Sequence, residues 1–258
     1  MGERNKNCSA IILNVKNSGE NNRTVCAFSP QHGIIYLTLY GGPKSKLKSY
    51  VQAFNSGILY FYDDEQKNSK KISDFDVKNS HISFRNSLYK LCAANLASEI
   101  VIKTKCAGDS KSAFYLLSGF LDGLDLCDEN ECKLGTVRFL WRYIKLLGVN
   151  PDLHTCAICA SPLLESKKNF YYEAENGFLC SDCISSIPES DFKSTKNFAL
   201  SQNSLTYLAA INELKPKDVR KIPVDEEIYT QTKNLCFYLI EKFCGTKLNS
   251  IESGIGIL

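Results

Sequence analysis

Four cysteines fall in two pairs, Cys156-Ala-Ile-Cys159 and Cys180-Ser-Asp-Cys183, with twenty residues between them. Two intervening residues let a tight turn aim both sulfurs at one point. Two such knuckles on a hairpin therefore close a four-thiolate shell around one metal ion and leave no open coordination position. The spacing suits one structural Zn2+ ion held by Cys156, Cys159, Cys180 and Cys183. Three other readings compete: a redox Cys-x-x-Cys pair, an iron–sulfur cluster, and cysteines that merely fill core. A thioredoxin-like pair would occur once, at a helix start in βαβ surroundings. Here the motif is doubled, and Tyr171-Tyr172 and Gly177-Phe178-Leu179 supply strand-like material between the pairs. His154, two residues before the first cysteine, is a less favoured ligand because four thiolates are already present. The other eight cysteines (8, 26, 92, 106, 127, 132, 236 and 244) have no such pairing and read as small buried apolar residues.

The start Met-Gly-Glu-Arg-Asn-Lys lacks the apolar core of a signal peptide, so the thiols are expected to be reduced. Gly2 is followed by Lys6 where a myristoylation motif needs Ser or Thr. No apolar run nears the roughly 20 residues that cross a bilayer. A soluble intracellular protein with no membrane contact is the expectation. With 258 residues, 44% apolar and 23% charged, the chain has material for two or three folded modules.

The first eighty residues read as short β-segments. Ala10–Val15 is broken by the turn at Asn17–Asn22, and Thr24–Ser29 passes through Pro30-Gln31-His32-Gly33 into Ile34–Tyr40 as a hairpin. Gly57–Tyr62 and Lys71–Val77 complete five strands, which suit a small closed OB-type barrel. From residue 81 the period becomes helical. One face carries Leu88, Leu91, Cys92 and Leu96; a second segment, capped by Asp109 or Ser110, carries Phe114, Leu117, Leu121 and Leu124. A third carries Val137, Leu140, Trp141, Ile144 and Leu147, stopped by Gly148 and Pro151. Beyond the cysteines, Ser201–Leu214 and Glu226–Phe243 read as helices, Gly245 caps the latter, and the tail Ser253–Leu258 is expected to fray. The fold class is therefore α+β: an OB-type barrel over 1–80, a helical domain over 81–153 and 187–258, and an inserted zinc module over 154–186.

The formal charge of +3 is too small to argue for nucleic acid by itself. Its distribution tilts: +4 over residues 1–80, +2 over 81–149 and −3 over 150–258. Lys44-Ser-Lys46-Leu-Lys48 follows an aromatic strand and precedes Tyr50 and Phe54. Alternate lysines can meet phosphates while exposed rings stack on bases, which is how OB-type folds hold single strands. Arg23 joins Lys44, Lys46 and Lys48 as a DNA-binding candidate. A plain solvated loop is the competing reading, with Tyr36, Tyr40, Tyr60 and Tyr62 partly in the barrel core. No phosphate loop, nucleophile elbow, HExxH helix or EF-hand is present. Asp63-Asp64-Glu65 reads as a solvated strand end rather than a magnesium site. His32 and His81 read as bystanders, His81 having no acidic neighbour in sequence. The chain is expected to be no enzyme and to have no catalytic residues.

Taken in order, several stretches resemble the RecO family of bacterial recombination mediators. They are Gly19-Glu20, Phe28-Ser-Pro-Gln-His-Gly33, Gly41-Gly-Pro-Lys-Ser-Lys-Leu-Lys-Ser49, Gln52-Ala-Phe54, Arg138-Phe139, Leu146–Leu153, the four cysteines, and Gly245-Thr-Lys-Leu-Asn-Ser250. The resemblance covers nearly the whole chain. It implies an OB fold with a helical domain and inserted zinc module, binding of single- and double-stranded DNA, and annealing of complementary strands. It implies RecR as a partner, contact with the acidic, apolar C-terminal tail of the single-stranded DNA-binding protein (SSB), and assistance in loading RecA. It further implies a cytoplasmic, nucleoid-associated location. By motif position Arg138 is the residue carried over to the tail-binding groove, where a guanidinium could clamp a carboxylate. The basic stretch has three lysines and no arginine and the C-terminal third is acidic, so weaker non-specific DNA affinity is expected. Two other classes stay open: a zinc-ribbon protein–protein adaptor without DNA binding, and a thiol oxidoreductase.

Overall fold

The computed structural model describes residues 5–41, 45–164, 166 and 168–258. It forms two compact units, residues 1–135 with 247–258, and residues 136–246.

The first unit begins with β1 (Asn5–Ser18), β2 (Asn22–Ser29) and β3 (Gly33–Leu39), then the single turn α1 (Leu47–Tyr50), β4 (Ser56–Asp64) and β5 (Ser69–Asn79). The strands close into a barrel in the order β1-β2-β3-β5-β4. All pairings are antiparallel except β3 with β5, which is parallel and joins Thr38 to Lys71. Alternation along each strand sends Ala10, Ile12, Val25, Leu37, Leu59 and Phe75 into one core, joined by Val51 just after α1. Each large side chain so buried contributes about 1.5–3 kcal/mol. Gly19 and Gly33 turn the two hairpins at φ +71° and +65°, the left-handed region that suits glycine. β2 is apolar on both faces because Phe28, which points out of the barrel, meets Phe114 edge-on at 5.5 Å.

Asp63, expected in solvent, is buried and lies 2.9 Å from Lys6 and 3.2 Å from Lys70. Those bonds hold its carboxyl below the usual carboxylate range. The strand end is thus an ion cluster, since β1 and β5 each bring a lysine to it.

α2 (Leu88–Lys103), α3 (Ser110–Leu126) and α4 (Glu129–Leu146) follow. Asp109 caps α3 by accepting from the Ser112 N–H at 3.0 Å, and Phe114, Leu117, Leu121 and Leu124 are buried as the periodicity implies. The face expected for α2 is corrected. Leu88 and Leu91 are exposed, and the buried side is Tyr89, Ala93, Ala94, Leu96, Ala97, Ile100 and Val101. Three alanines sit on this face among Tyr89, Leu96, Ile100 and Val101, so spacing of the leucines alone points to the wrong side. α4 is buried almost all round between Thr136 and Ile144, beyond the single stripe expected.

His81 is the link that sequence could not supply. Its ring is buried, with Nδ1 2.8 Å from the Phe54 carbonyl and Nε2 3.0 Å from Asp122 Oδ1, and it stacks on Phe84 at 5.1 Å. Its acidic partner is 41 residues away in sequence, on α3.

In the second unit β6 (Lys168–Tyr172), β7 (Gly177–Cys180), α5 (Ser181–Ser185), α6 (Glu189–Ser194) and β8 (Asn197–Ser201) precede α7 (Gln202–Glu213), α8 (Pro216–Val219) and α9 (Glu226–Cys244). β6 is central in a sheet ordered β7-β6-β8. β8 has no sequence signature of its own and exists because β6 offers it an edge. Ser201 and Asp225 cap α7 and α9, and Gly245 ends α9 at φ +65°. α10 (Asn249–Ser253) packs in the first unit, where Glu99 accepts from the Asn249 and Ser250 backbone N–H groups at 3.1 and 2.8 Å.

Candidate metal centre and nucleic-acid interface

The first cysteine knuckle is built by backbone. The Asp152 carboxylate accepts from the His154 and Thr155 N–H groups, Cys156 N–H donates to the Ser161 carbonyl, and Ala160 N–H returns to the Cys156 carbonyl at 2.9 Å. Ala160 takes φ +58° to make that return. The Ala157 N–H donates to the Phe178 carbonyl at 2.9 Å, pinning the knuckle to β7. Gly177 leaves room for the approach, because a Cβ there would lie 2.9 Å from the Ala157 Cβ. The second knuckle is the end of β7 running into α5, with Cys180 as the N-terminal cap residue.

The four sulfurs of Cys156, Cys159, Cys180 and Cys183 all lie within 4.8 Å of one another, so they form a group positioned to hold a metal ion. Cys159 and Cys180 Sγ are 3.7 Å apart. The Cys180 N–H donates to Cys156 Sγ at 3.4 Å. Bonds from the Ser161 hydroxyl and backbone N–H favour the Cys159 thiolate and lower it to about 6. Burial pushes Cys156 up, but the N–H groups of Cys159, Cys180 and Ile158 outweigh it. His154 is outside the group, its Nε2 3.7 Å from Glu213 Oε1. No disulfide joins the cysteines, and five of the other eight are fully buried.

On the barrel, Arg23 and Lys48 come together. The Arg23 Nη1 donates to the Lys48 carbonyl at 3.4 Å, and both line an open depression of about 530 Å³ with Asn17, Glu20 and Ser49. Lys46 is exposed at the start of α1, and Lys44 lies outside the described residues. The tyrosines face outward: Tyr36 is 58% exposed and Tyr40 51%, with Tyr50 and Tyr60 also in solvent. Phe54 corrects the ring set. It is buried at φ +71°, because its N–H is spent on the Ile12 carbonyl and its own carbonyl on His81.

Arg138 is only 5% exposed, and its Nη1 donates to the Tyr207 hydroxyl at 3.5 Å. Tyr207 also lines an open depression of about 510 Å³ whose other walls are Ile222, Pro223, Val224 and Ile228 with the polar Asn203, Thr206 and Asp225. Arg142, one turn along α4, is lowered from its usual range by burial and by the charges of Arg138 and Arg220. The charges of Arg138 and Arg220 thus both reach Arg142, and Arg138 itself bonds to the Tyr207 hydroxyl. Sequence reasoning missed Arg142 and Arg220; the four-residue spacing from Arg138 could have flagged the first, but only the fold brings in the second.

A closed five-stranded barrel joined to a helical unit with a four-cysteine centre defines the class: OB-barrel proteins carrying an inserted metal ribbon. The Recombination protein O N terminal family model matches residues 1–81, and the Recombination protein O C terminal model matches residues 85–251. The DNA repair protein RecO of Desulforamulus reducens is 21% identical over 245 residues, covering 94% of this chain and 91% of that one. Those of Halalkalibacterium halodurans and Acetivibrio thermocellus are 27% and 28% identical over 186 and 182 residues, covering 69% and 68% of this chain and 68% and 69% of theirs. The chain belongs to the RecO family. Among the described residues no helix is long and apolar enough to cross a membrane.

Proposed function

We propose that this chain is a recombination mediator in DNA repair: it binds single- and double-stranded DNA, anneals complementary strands and, with RecR, helps load RecA onto SSB-coated DNA in the bacterial cytoplasm, at the nucleoid. It performs no chemical step of its own. The observation that carries the reading is that Arg23 and Lys48 line one depression on a closed barrel that also presents outward-facing tyrosines and an exposed Lys46, in a chain of the RecO family. Cations hold phosphates and rings stack on bases, so such a surface takes single strands without reading their sequence.

The depression beside Tyr207, with Ile222, Pro223, Val224 and Ile228 on its walls and Arg138 at the Tyr207 hydroxyl, supports engagement of the acidic, apolar SSB tail; Asp225 on the same wall accepts from the Ile228 N–H. We take the metal to be zinc: a tetrahedral shell with Zn–S bonds of about 2.3 Å has sulfurs about 3.8 Å apart, and the 3.7 Å between Cys159 and Cys180 supports that reading. Four thiolates fill that shell, so its part is to hold the module folded.

Annealing of SSB-coated complementary strands, with intact and tail-deleted SSB, tests the reading. Annealing is expected with intact SSB and reduced without its tail; annealing that ignores the tail removes the SSB contact. Contacts from Lys44, Lys46, Lys48 and Arg23 to about four phosphates contribute about −3 to the log–log salt slope on single strands. A flat salt response removes the DNA reading, as does unchanged binding after Lys44, Lys46 and Lys48 are all replaced by Glu.

A further inference from the structure

Register round the barrel places one row of outward residues side by side on all five strands. Asn5 on β1 pairs with Tyr62 on β4, Tyr62 with Lys71 on β5, Lys71 with Thr38 on β3, Thr38 with Thr24 on β2, and Thr24 with Lys16 back on β1. Each is flanked by residues of the opposite facing, such as Leu37 and Leu39 about Thr38 and Ile72 after Lys71, which are buried in the core. The row contains two lysines and no carboxylate. Among the described residues neither Lys16 nor Lys71 makes an ion pair, and both are exposed. Lys71 Nζ instead sits 5.4 Å from the centre of the Tyr40 ring, which leaves that ring half in solvent. Tyr36 on β3 and Tyr40 just past its end lie on either side of Thr38, both exposed. On β5 the next outward charges are Asp74 and Asp76, which would repel phosphate and so bound the path on that side.

We propose that single-stranded DNA crosses the outside of the barrel along this row, with Lys71 and Lys16 each meeting a phosphate and Tyr40 serving as a stacking plate for one base. The proposal rests on the DNA-binding reading above and adds a path and residues to it. Three strand spacings of about 4.8 Å separate Lys71 from Lys16, roughly 14 Å, so the two cations meet different phosphates. The Lys71 ammonium also holds the Tyr40 ring in place before any base arrives, so little side-chain freedom is lost on binding. The smaller Thr38 and Thr24 between them leave the backbone of the strand a clear way across β3 and β2.

The test is binding of the full chain to a labelled oligothymidylate over a range of salt, by fluorescence anisotropy. Lys71→Gln and Lys16→Gln are each expected to weaken binding several-fold at low salt and to reduce the salt slope by about 0.7. Tyr40→Leu is expected to weaken binding roughly five- to hundredfold with the slope unchanged, and to cost nothing on an abasic strand of equal length, which has no base to stack. Equal losses on thymidine and abasic strands overturn the stacking plate. A wild-type chain that binds while all three variants match it in affinity and slope overturns the path but leaves the DNA-binding reading standing. A wild-type chain that does not bind overturns both.

Discussion

His81→Ala breaks the tie between the segment joining α1 to β4 and α3. Three contributions are lost. The Nδ1 bond to the Phe54 carbonyl, at 2.8 Å and buried, is worth about 1 kcal/mol net. The Nε2 contact with Asp122 at 3.0 Å involves a carboxylate and counts about 1.5 kcal/mol, the low end of its range because Asp122 is partly solvated. The ring stacked on Phe84 at 5.1 Å adds about 0.5 kcal/mol. Both partners are acceptors, so the full sum of about 3 kcal/mol holds for the ring carrying a proton on each nitrogen. The readout is native-state hydrogen exchange of the Phe54 and Ile12 amides, which bond to the Ile12 and Asn55 carbonyls at 2.7 and 2.9 Å. A loss of about 3 kcal/mol accelerates their exchange through local opening roughly hundredfold. A double-mutant cycle with Asp122→Ala isolates the ring–carboxylate contact and should give a coupling of about 1 kcal/mol or more. Exchange unchanged within a factor of about five, or a coupling near zero, would refute the reasoning: His81 would then be a filler and not a tie.

Gly57→Ala places a Cβ 2.0 Å from the Asp76 carbonyl oxygen, which is backbone and cannot swing aside, so thermal unfolding should reveal a loss of about 3 kcal/mol; an unchanged melt contradicts it. Cys156→Ser or Cys183→Ser should abolish metal binding by metal analysis and unfold the module as measured by circular dichroism, since site and local fold form together; intact folding with the metal lost speaks against that. Burial pushes Glu99 up, but the Ser250 hydroxyl and N–H, with Lys103, outweigh it and hold the carboxyl below its ordinary 4.5. A depressed carboxyl stabilises above its unfolded value and the effect fades as pH falls through the lower folded one. Proteolysis of the 247–258 tail should therefore rise on acidification below about pH 4.5, and Glu99→Gln should release the tail at neutral pH; a tail equally protected in that variant would show that Glu99 does not anchor it.

The five strands, the α+β class and the cysteine centre were legible because each is written in local spacing. Period two marks Leu37, Leu39, Leu59 and Phe61 as core; period 3.6 marks Phe114, Leu117, Leu121 and Leu124; and Cys-x-x-Cys repeats read as knuckles. Where the local signal was weak, the reading slipped. α2 buries its alanines and exposes Leu88 and Leu91, and β8 forms only because β6 has an open edge.

By itself, the sequence determined which segments could be strands, helices and metal knuckles, since backbone and turn preferences act over a few residues. The tertiary structure alone decided the pairings between distant residues: Asp63 with Lys6 and Lys70, His81 with Asp122, Glu99 with Ser250, Arg138 with Tyr207, and the row from Lys71 to Lys16. None has a sequence period, because barrel closure and helix packing set each distance. The sequence alone leaves a lysine on β5 and a lysine on β1 unrelated. They share one surface only once the sheet has closed, because closure sets the stagger of five strands together.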